Sequence, residues 1–429
     1  MEVKTTIVKS NSNYKLIVGY DISKYKHNFY SSFQNLNIKK VLEGIVDSSR
    51  KELLKHFSEL KDFAENNGYT SIIVACEPTG GYENSFLKIA RECGLEVKYV
   101  SGEATSKFKV IESNDSGKND KKDARVIFSL ATQEKTLVCR ELEGNYAHLR
   151  GLNRNYEIMS KEKARAKNMF SGVVDKFFPD LRVKSNDYYN KTLRAIIIGF
   201  KLNPYKISAL SLEEFESKVQ VIYNRKLAAH AKKIVCRVWE SATPYKGCKV
   251  DPFYIKEAEG LIGFYYSQIE SLEEMKQMYR KEMVDVYAQT NEFEKLQDVP
   301  VSVFLMSRTI AETGPLNDFK CVAQLQRYAG LNLKERSSGT YAGKIRISKK
   351  GNSLLRKILG QVAFSSFTRK GTEFGEIYHQ KKEKRGGFYA LTCMMRKGLK
   401  MIFGVYHSDE EFQLERMTNQ LFSTKTEVA

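Results

Sequence analysis

Four carboxylates in the first third of the chain have the spacing to do chemistry together. Asp21 ends one apolar run, LIVGYD, and Glu77 ends another, IIVACE. Asp120 and Asp123 lie three residues apart in Asp120-Lys121-Lys122-Asp123-Ala124-Arg125. Each apolar run reads as a buried strand, and ligands of α/β sheets gather at strand ends. Residues three apart on a helix face one way. Carboxylates that meet at a sheet edge repel each other unless cations neutralise them. Hard divalent ions with oxygen ligands suit that role, Mg2+ first and Mn2+ second. A pair of such ions ~3.5–4 Å apart would clamp the attacking and leaving oxygens of a phosphoryl transfer. The plainer reading makes these acids turn caps and surface groups among Lys118, Lys121, Lys122 and Arg125. Spacing alone leaves both open.

A second constellation lies near the other end. The stretch 330–351, GLNLKERSSGTYAGKIRISKKG, holds Lys334, Arg336, Lys344, Arg346, Lys349 and Lys350 against one acid, Glu335. Basic side chains contact phosphates, and Gly339 and Gly343 let a backbone approach one closely. Ser337 and Ser338 stand just before Gly339. A serine in a cation-lined loop can attack a polarised phosphate once its proton is removed. On spacing alone, a DNA-binding loop whose serines only donate hydrogen bonds is the better reading. A third basic run, Lys381 to Arg385 before Gly386-Gly387, reads as a mobile loop.

The whole chain bounds these readings. Its 429 residues allow two or three domains. Lys plus Arg is 70 and Asp plus Glu 51, a net charge of +19, which points to a polyanionic partner such as nucleic acid. A hydrophobic share of 42% with only 7 Pro excludes wholesale disorder. The apolar run Ala195–Phe200 is far short of a membrane span, so no membrane is expected. The polar N-terminus has no signal-like apolar core, which predicts a cytoplasmic protein. Seven cysteines without a CxxC pair predict free thiols, and the scattered histidines offer no ligand spacing.

Strands and helices must position these groups. Tyr14–Tyr20, His27–Phe33, Thr70–Cys76 and Leu95–Val100 read as strands. Val41–Asn67, Glu83–Cys93 and Lys118–Thr132 read as helices, giving an α/β domain over 14–140 with a sheet of mixed direction. Region 141–290 is helical. Leu149, Leu152, Tyr156, Met159, Lys163, Ala166, Phe170, Val173 and Phe177 form a heptad seam that one lysine interrupts. A second seam runs through Tyr265, Ile269, Leu272, Met275, Tyr279, Met283 and Val286. The two could pair within the chain or between chains. Region 291–429 is mostly α, with helices expected at 303–313, 322–329, 353–367 and 391–405.

Taken in order, the motifs resemble the DEDD-motif insertion-sequence transposases of the family numbered one hundred and ten, the bridge-RNA-guided recombinases. The resemblance rests on Gly19-Tyr20-Asp21, Glu77-Pro78-Thr79-Gly80-Gly81-Tyr82 and Asp120-Lys121-Lys122-Asp123-Ala124-Arg125. It continues in Tyr328-Ala329-Gly330-Leu331, Ser338-Gly339, Arg346-Ile347-Ser348-Lys349-Lys350-Gly351 and Leu355-Arg356. It implies a RuvC-like (RNase H-like) N-terminal domain, a helical coiled-coil middle and a mostly α C-terminal transposase domain. It makes Asp21, Glu77, Asp120 and Asp123 catalytic metal ligands for Mg2+, and Ser338 a nucleophile that forms a phosphoserine link to DNA. Lys334, Arg336, Lys344, Arg346, Lys349, Lys350 and Arg356 become nucleic-acid contacts. The implied partners are donor and target DNA, a guide (bridge) RNA and further copies of the chain in a dimer or tetramer. The sequence departs from the family at Pro300-Val301-Ser302-Val303, which lacks a glycine, and at Leu333, where a proline is common. Ser337 is the alternative nucleophile. The rival functions are a RuvC-like metal-dependent structure-specific endonuclease that uses water, and a basic nucleic-acid-binding protein without chemistry.

Overall fold

The computed structural model describes residues 14–35, 38–78, 80–113, 120–181, 190–334, 337–338, 341–342 and 346–408. The chain divides after Glu141 into two compact units.

The first unit runs β1 (Lys15–Ile22), β2 (Lys26–Asn35), β3 (Ile38–Asp47), α1 (Arg50–Asn66), β4 (Ser71–Cys76), α2 (Tyr82–Glu92), β5 (Glu96–Val100), α3 (Gly102–Ser113), α4 (Asp120–Thr132) and β6 (Thr136–Val138). The sheet order is β3-β2-β1-β4-β5-β6. β1, β2 and β3 form an antiparallel meander, β4 and β5 continue parallel to β1, and β6 closes the other edge antiparallel. The apolar run of β1 is continuous because both its faces are covered. Leu16, Val18, Tyr20 and Ile22 join Leu53, Phe57 and Phe86 of α1 and α2 in one core. Ile17 packs on the opposite side against the core that Ala75 shares with Val126, Ile127 and Leu130 of α4.

The expected helix over Val41–Asn67 is a strand followed by a helix. Val46 is buried and Val41 and Ile45 are exposed, the period-two pattern of β3. The helix starts only after Asp47, whose carboxylate accepts from the Ser49 amide at 2.9 Å. α3 and β6 were not foreseen in the sequence.

The α1 core holds a buried polar pair. Tyr20 OH and His56 Nε2 lie 2.8 Å apart. Burial, with the His27 charge second, pushes His56 down from 6.5 to about 4. Burial also lowers His27. Between those values the unfolded chain binds a proton that the folded chain refuses, so stability is full above pH 6.5 and falls as the pH drops toward 4. His56 alone contributes a loss of about 3 kcal/mol over that window. Denaturant unfolding at stepped pH is expected to show this slope, and His56→Gln is expected to remove the larger part of it. An unchanged slope in that variant would refute the assignment.

The second unit is helical. It runs α5 (Gly144–Phe177), α6 (Lys191–Phe200), α7 (Pro204–Ser208), α8 (Leu212–Tyr223), α9 (Ala229–Ala242), α10 (Pro252–Tyr287), α11 (Asn291–Leu296), α12 (Val303–Thr313) and α13 (Val322–Tyr328). Four short strands follow: β7 (Leu333–Lys334), β8 (Ser337–Ser338), β9 (Tyr341–Ala342) and β10 (Arg346–Ile347). The last helices are α14 (Ser353–Phe367), α15 (Glu373–Arg385) and α16 (Gly387–His407).

α5 and α10 pair antiparallel within the chain. His148 meets Glu282, Phe170 meets Tyr266, and Tyr254 OH donates to the Lys176 carbonyl. Lys163, the interruption in the first seam, forms an ion pair with Glu273 of α10. The buried stripe drifts from Val173 to Val174, as a 3.6-residue helix drifts against a heptad. Helices α6 to α9 pack their own core against the distal parts of α5 and α10.

The basic run Lys381–Arg385 is not a loop. It forms the C-terminal end of α15, where cations complement the helix dipole, and Gly386 follows at φ +87°. All seven cysteines are free thiols. Among the described residues no helix is long and apolar enough to cross a membrane.

Candidate functional site

β1 and β4 are parallel neighbours, with Gly19 beside Ala75 and Tyr20 beside Cys76. The next residue on each is Asp21 and Glu77. The two acids therefore stand at the carboxyl ends of adjacent chains about 4.8 Å apart. By the period-two rule they share the face of Gly19 and Ala75, the face that α4 covers. α4 lies directly on the backbone there. A Cβ on Gly19 would come within 2.4 Å of Phe128 N and 2.5 Å of the Ala124 carbonyl oxygen. Glycine is thus required at this position, and the close approach brings Asp123, next to Ala124, to the same side of the sheet.

Each acid has its own surroundings. Asp21 and Glu77 are half-buried. Glu77 Oε1 lies where a Cβ on Gly102 would come within 2.3 Å, against the first residue of α3. A helix N-terminus favours an anion. The Asp123 carboxylate, 14% exposed, accepts from Lys109 Nζ of α3 at 2.6 Å. Asp120 opens α4, but its side chain lies outside the described residues. Among the described residues no three His, Cys, Asp or Glu close together as a metal-holding group. The arrangement gathers Asp21, Glu77 and Asp123 on one face of one sheet without closing them into a coordination sphere. The donors are carboxylate oxygens only, which fits a hard divalent cation in kind. Lys109 was missed in the sequence, where nothing marks it among the many lysines.

The serine-bearing stretch belongs to the second unit. β7 and β10 pair with Lys334 opposite Arg346 and Leu333 opposite Ile347. β8 and β9 pair with Ser337 opposite Ala342 and Ser338 opposite Tyr341. The stretch is therefore a two-step hairpin, with Ser338 in its outer step. Lys334 and Arg346 are exposed and directly opposite each other. Like charges in that position repel unless an anion lies between them. Lys349, at φ +59°, and Lys350 are also exposed. Arg356 turns inward. Its Nη1 donates to the Ala329 carbonyl at 3.1 Å, in space that a side chain on Gly330 would fill. Arg336 and Lys344 lie outside the described residues, as do the side chains of Ser337 and Ser338.

A family model for DEDD-type transposases of the IS110 group matches residues 18–179. A second, described as transposase IS116/IS110/IS902 family, matches residues 295–379. Together they span more than half of the chain, the first including all four acids and the second the whole hairpin. No curated protein matches the chain. A crystal structure of the Ppx/GppA family member from Aquifex aeolicus aligns with 60% of this chain and 98% of that one, at 10% identity and a TM-score of 0.19, too low to carry an argument.

Proposed function

Because the chain belongs to the IS110 family of transposases, a DNA-recombining enzyme is the premise, and we propose that it cuts and exchanges DNA strands through a covalent phosphoserine intermediate. The observation that carries this reading is the register that sets Asp21 and Glu77 side by side on the face where α4 touches the backbone of Gly19. The antiparallel meander followed by two parallel strands supports a RuvC-like domain.

In this reading Ser338 Oγ attacks a DNA phosphorus. The Oγ–P bond forms and the P–O3′ bond breaks, the 3′ oxygen leaves with its electron pair, and the serine proton passes to a base. Protein stays on the 5′ end. The reverse attack by a 3′ hydroxyl rejoins strands without an external energy source, and the sequence has no G-x-x-x-x-G-K-[ST] loop. Asp21, Glu77, Asp120 and Asp123 would hold Mg2+, which when bound supplies Lewis-acid stabilisation of charge on the phosphate oxygens. Lys334, Arg346, Lys349 and Lys350 orient the DNA backbone. Sequence choice falls to base pairing with a guide RNA, whose backbone and shape the basic protein reads. A dimer or tetramer would hold several DNA ends together through surfaces other than the seams of α5 and α10, whose residues pack in the chain's own helical cores.

The test is to incubate the protein with Mg2+, cognate RNA and donor DNA, quench, digest, and map the nucleotide-bearing peptide by mass spectrometry. Attachment at Ser338 is expected. Attachment at Ser337 would move the nucleophile by one residue. Cleavage that leaves no protein on the DNA would replace this reading with a water-using endonuclease.

A further inference from the structure

A buried polar chain runs under the serine hairpin. We infer that Glu312 is a positioning residue: its two carboxylate oxygens fix the base of the hairpin on the helical core and so set where Ser338 is presented. The inference rests on the serine reading for its consequence, but its geometry stands by itself.

Glu312 sits on α12 and is 3% exposed. Oε1 accepts from Asn153 Nδ2 of α5 at 2.8 Å, and Oε2 accepts from Asn352 Nδ2 at 2.7 Å. Asn352 is the outgoing root of the hairpin, and its amide donates to the carbonyl of Tyr328, the incoming root, at 2.8 Å. Tyr328 OH returns to the Glu312 carbonyl at 3.1 Å, and Arg150 donates to the same carbonyl at 2.7 Å. Both roots of the hairpin therefore end on one residue. The rest of the stem is tied by the amides of Ser348 to Asn332 and of Lys349 to Gly330. Gly351, at φ +144°, passes so close to Tyr328 that a Cβ would come within 2.4 Å of its carbonyl oxygen. A stem packed this closely has one seating.

Only a carboxylate completes this arrangement. Asn153 cannot turn its amide over, because its Oδ1 already accepts from Arg308 Nε at 2.8 Å. Asn352 cannot either, because its Oδ1 caps α14 by accepting from the Leu355 amide at 2.9 Å. Each asparagine must point an N–H at residue 312, which needs an acceptor on both sides. Glutamine has the same shape but offers one acceptor and one donor. Glu312→Gln thus sets an N–H against the N–H of either Asn153 or Asn352. Asn352→Asp repairs the second case, since an aspartate still caps the helix and accepts from the new amide.

The experiment uses the full chain with its cognate RNA, donor DNA and Mg2+. Hydrogen exchange at the Ser348, Lys349 and Asn352 amides is expected to speed up about ten-fold or more in Glu312→Gln, the effect of one unmade buried hydrogen bond. Formation of the covalent DNA product is expected to slow by a similar factor at saturating DNA. The pair Glu312→Gln with Asn352→Asp should bring both back to within about two-fold of the parent protein. Unchanged stem exchange in the single variant, or a double variant no better than the single one, overturns the inference. Stem exchange that responds while adduct formation does not would also overturn it, since the stem would then not set the serine. A covalent product that persists in Ser338→Ala refutes the serine reading instead, and leaves the exchange result intact.

Discussion

Replacing Asp21 by asparagine is expected to lower strand cleavage by about a hundred- to a thousand-fold, the cost of removing one preorganised electrostatic contribution from a phosphoryl-transfer site. The substitution keeps the size of the side chain and removes its charge. Asp123→Asn would also loosen the ion pair to Lys109, and Glu77→Gln would alter the contact with the start of α3. DNA affinity should stay within a few-fold, because phosphate contacts of Lys and Arg dominate it. Single-turnover cleavage and a mobility-shift titration on the same preparation separate the two effects. Cleavage at the parent rate with binding intact would end the carboxylate account. Tight binding without cleavage in the parent protein itself would instead favour a DNA-binding role.

The strand-end positions of Asp21 and Glu77 were legible because each closes an apolar run, and such runs have few readings other than a central strand. α12 and α14 were legible to the residue, since Ser302 and Asn352 announce their starts by capping Leu305 and Leu355. β3 was not. Its apolar residues blend into those of α1, and the change of period at Asp47 is too local for a window that spans both. α3 was hidden for a related reason: Val110 and Ile111 are exposed, so its apolar residues do not mark one buried face. The partners of the acids were illegible in principle. Lys109 meets Asp123 only because α3 and α4 lie together, and the polar chain under the hairpin joins residues far apart in sequence. Asn153 and Glu157 even look like flaws beside the seam of α5, when they are the sockets for α12 and α14.

Those sockets make Arg308 the residue whose loss should cost the second unit most. Its guanidinium is 2% exposed and donates to Asn153 and Gln361 at 2.8 Å each and to the Glu157 carboxylate. It also lies 4.9 Å from the Tyr156 ring and 5.7 Å from that of Phe304. Burial works against the Glu157 charge, yet the Lys357 hydrogen bond and the Arg308 charge hold its carboxyl below the usual range. That contribution is present above the unfolded value of about 4.5 and is lost as the pH falls through the lower folded value. Arg308→Met keeps the stem of the side chain and strands a buried carboxylate, so about 3–5 kcal/mol of stability should go. Lys357→Met should cost no more than about 1 kcal/mol, because Lys357 is half exposed and water can replace it. Arg308→Met with Glu157→Met should fall between the two, since the orphaned charge is gone but Asn153 and Gln361 still lack their donor. Urea unfolding of the three variants, followed by circular dichroism, tests that order. A double variant as unstable as Arg308→Met would mean that the guanidinium acts through its amide and ring contacts rather than through the ion pair.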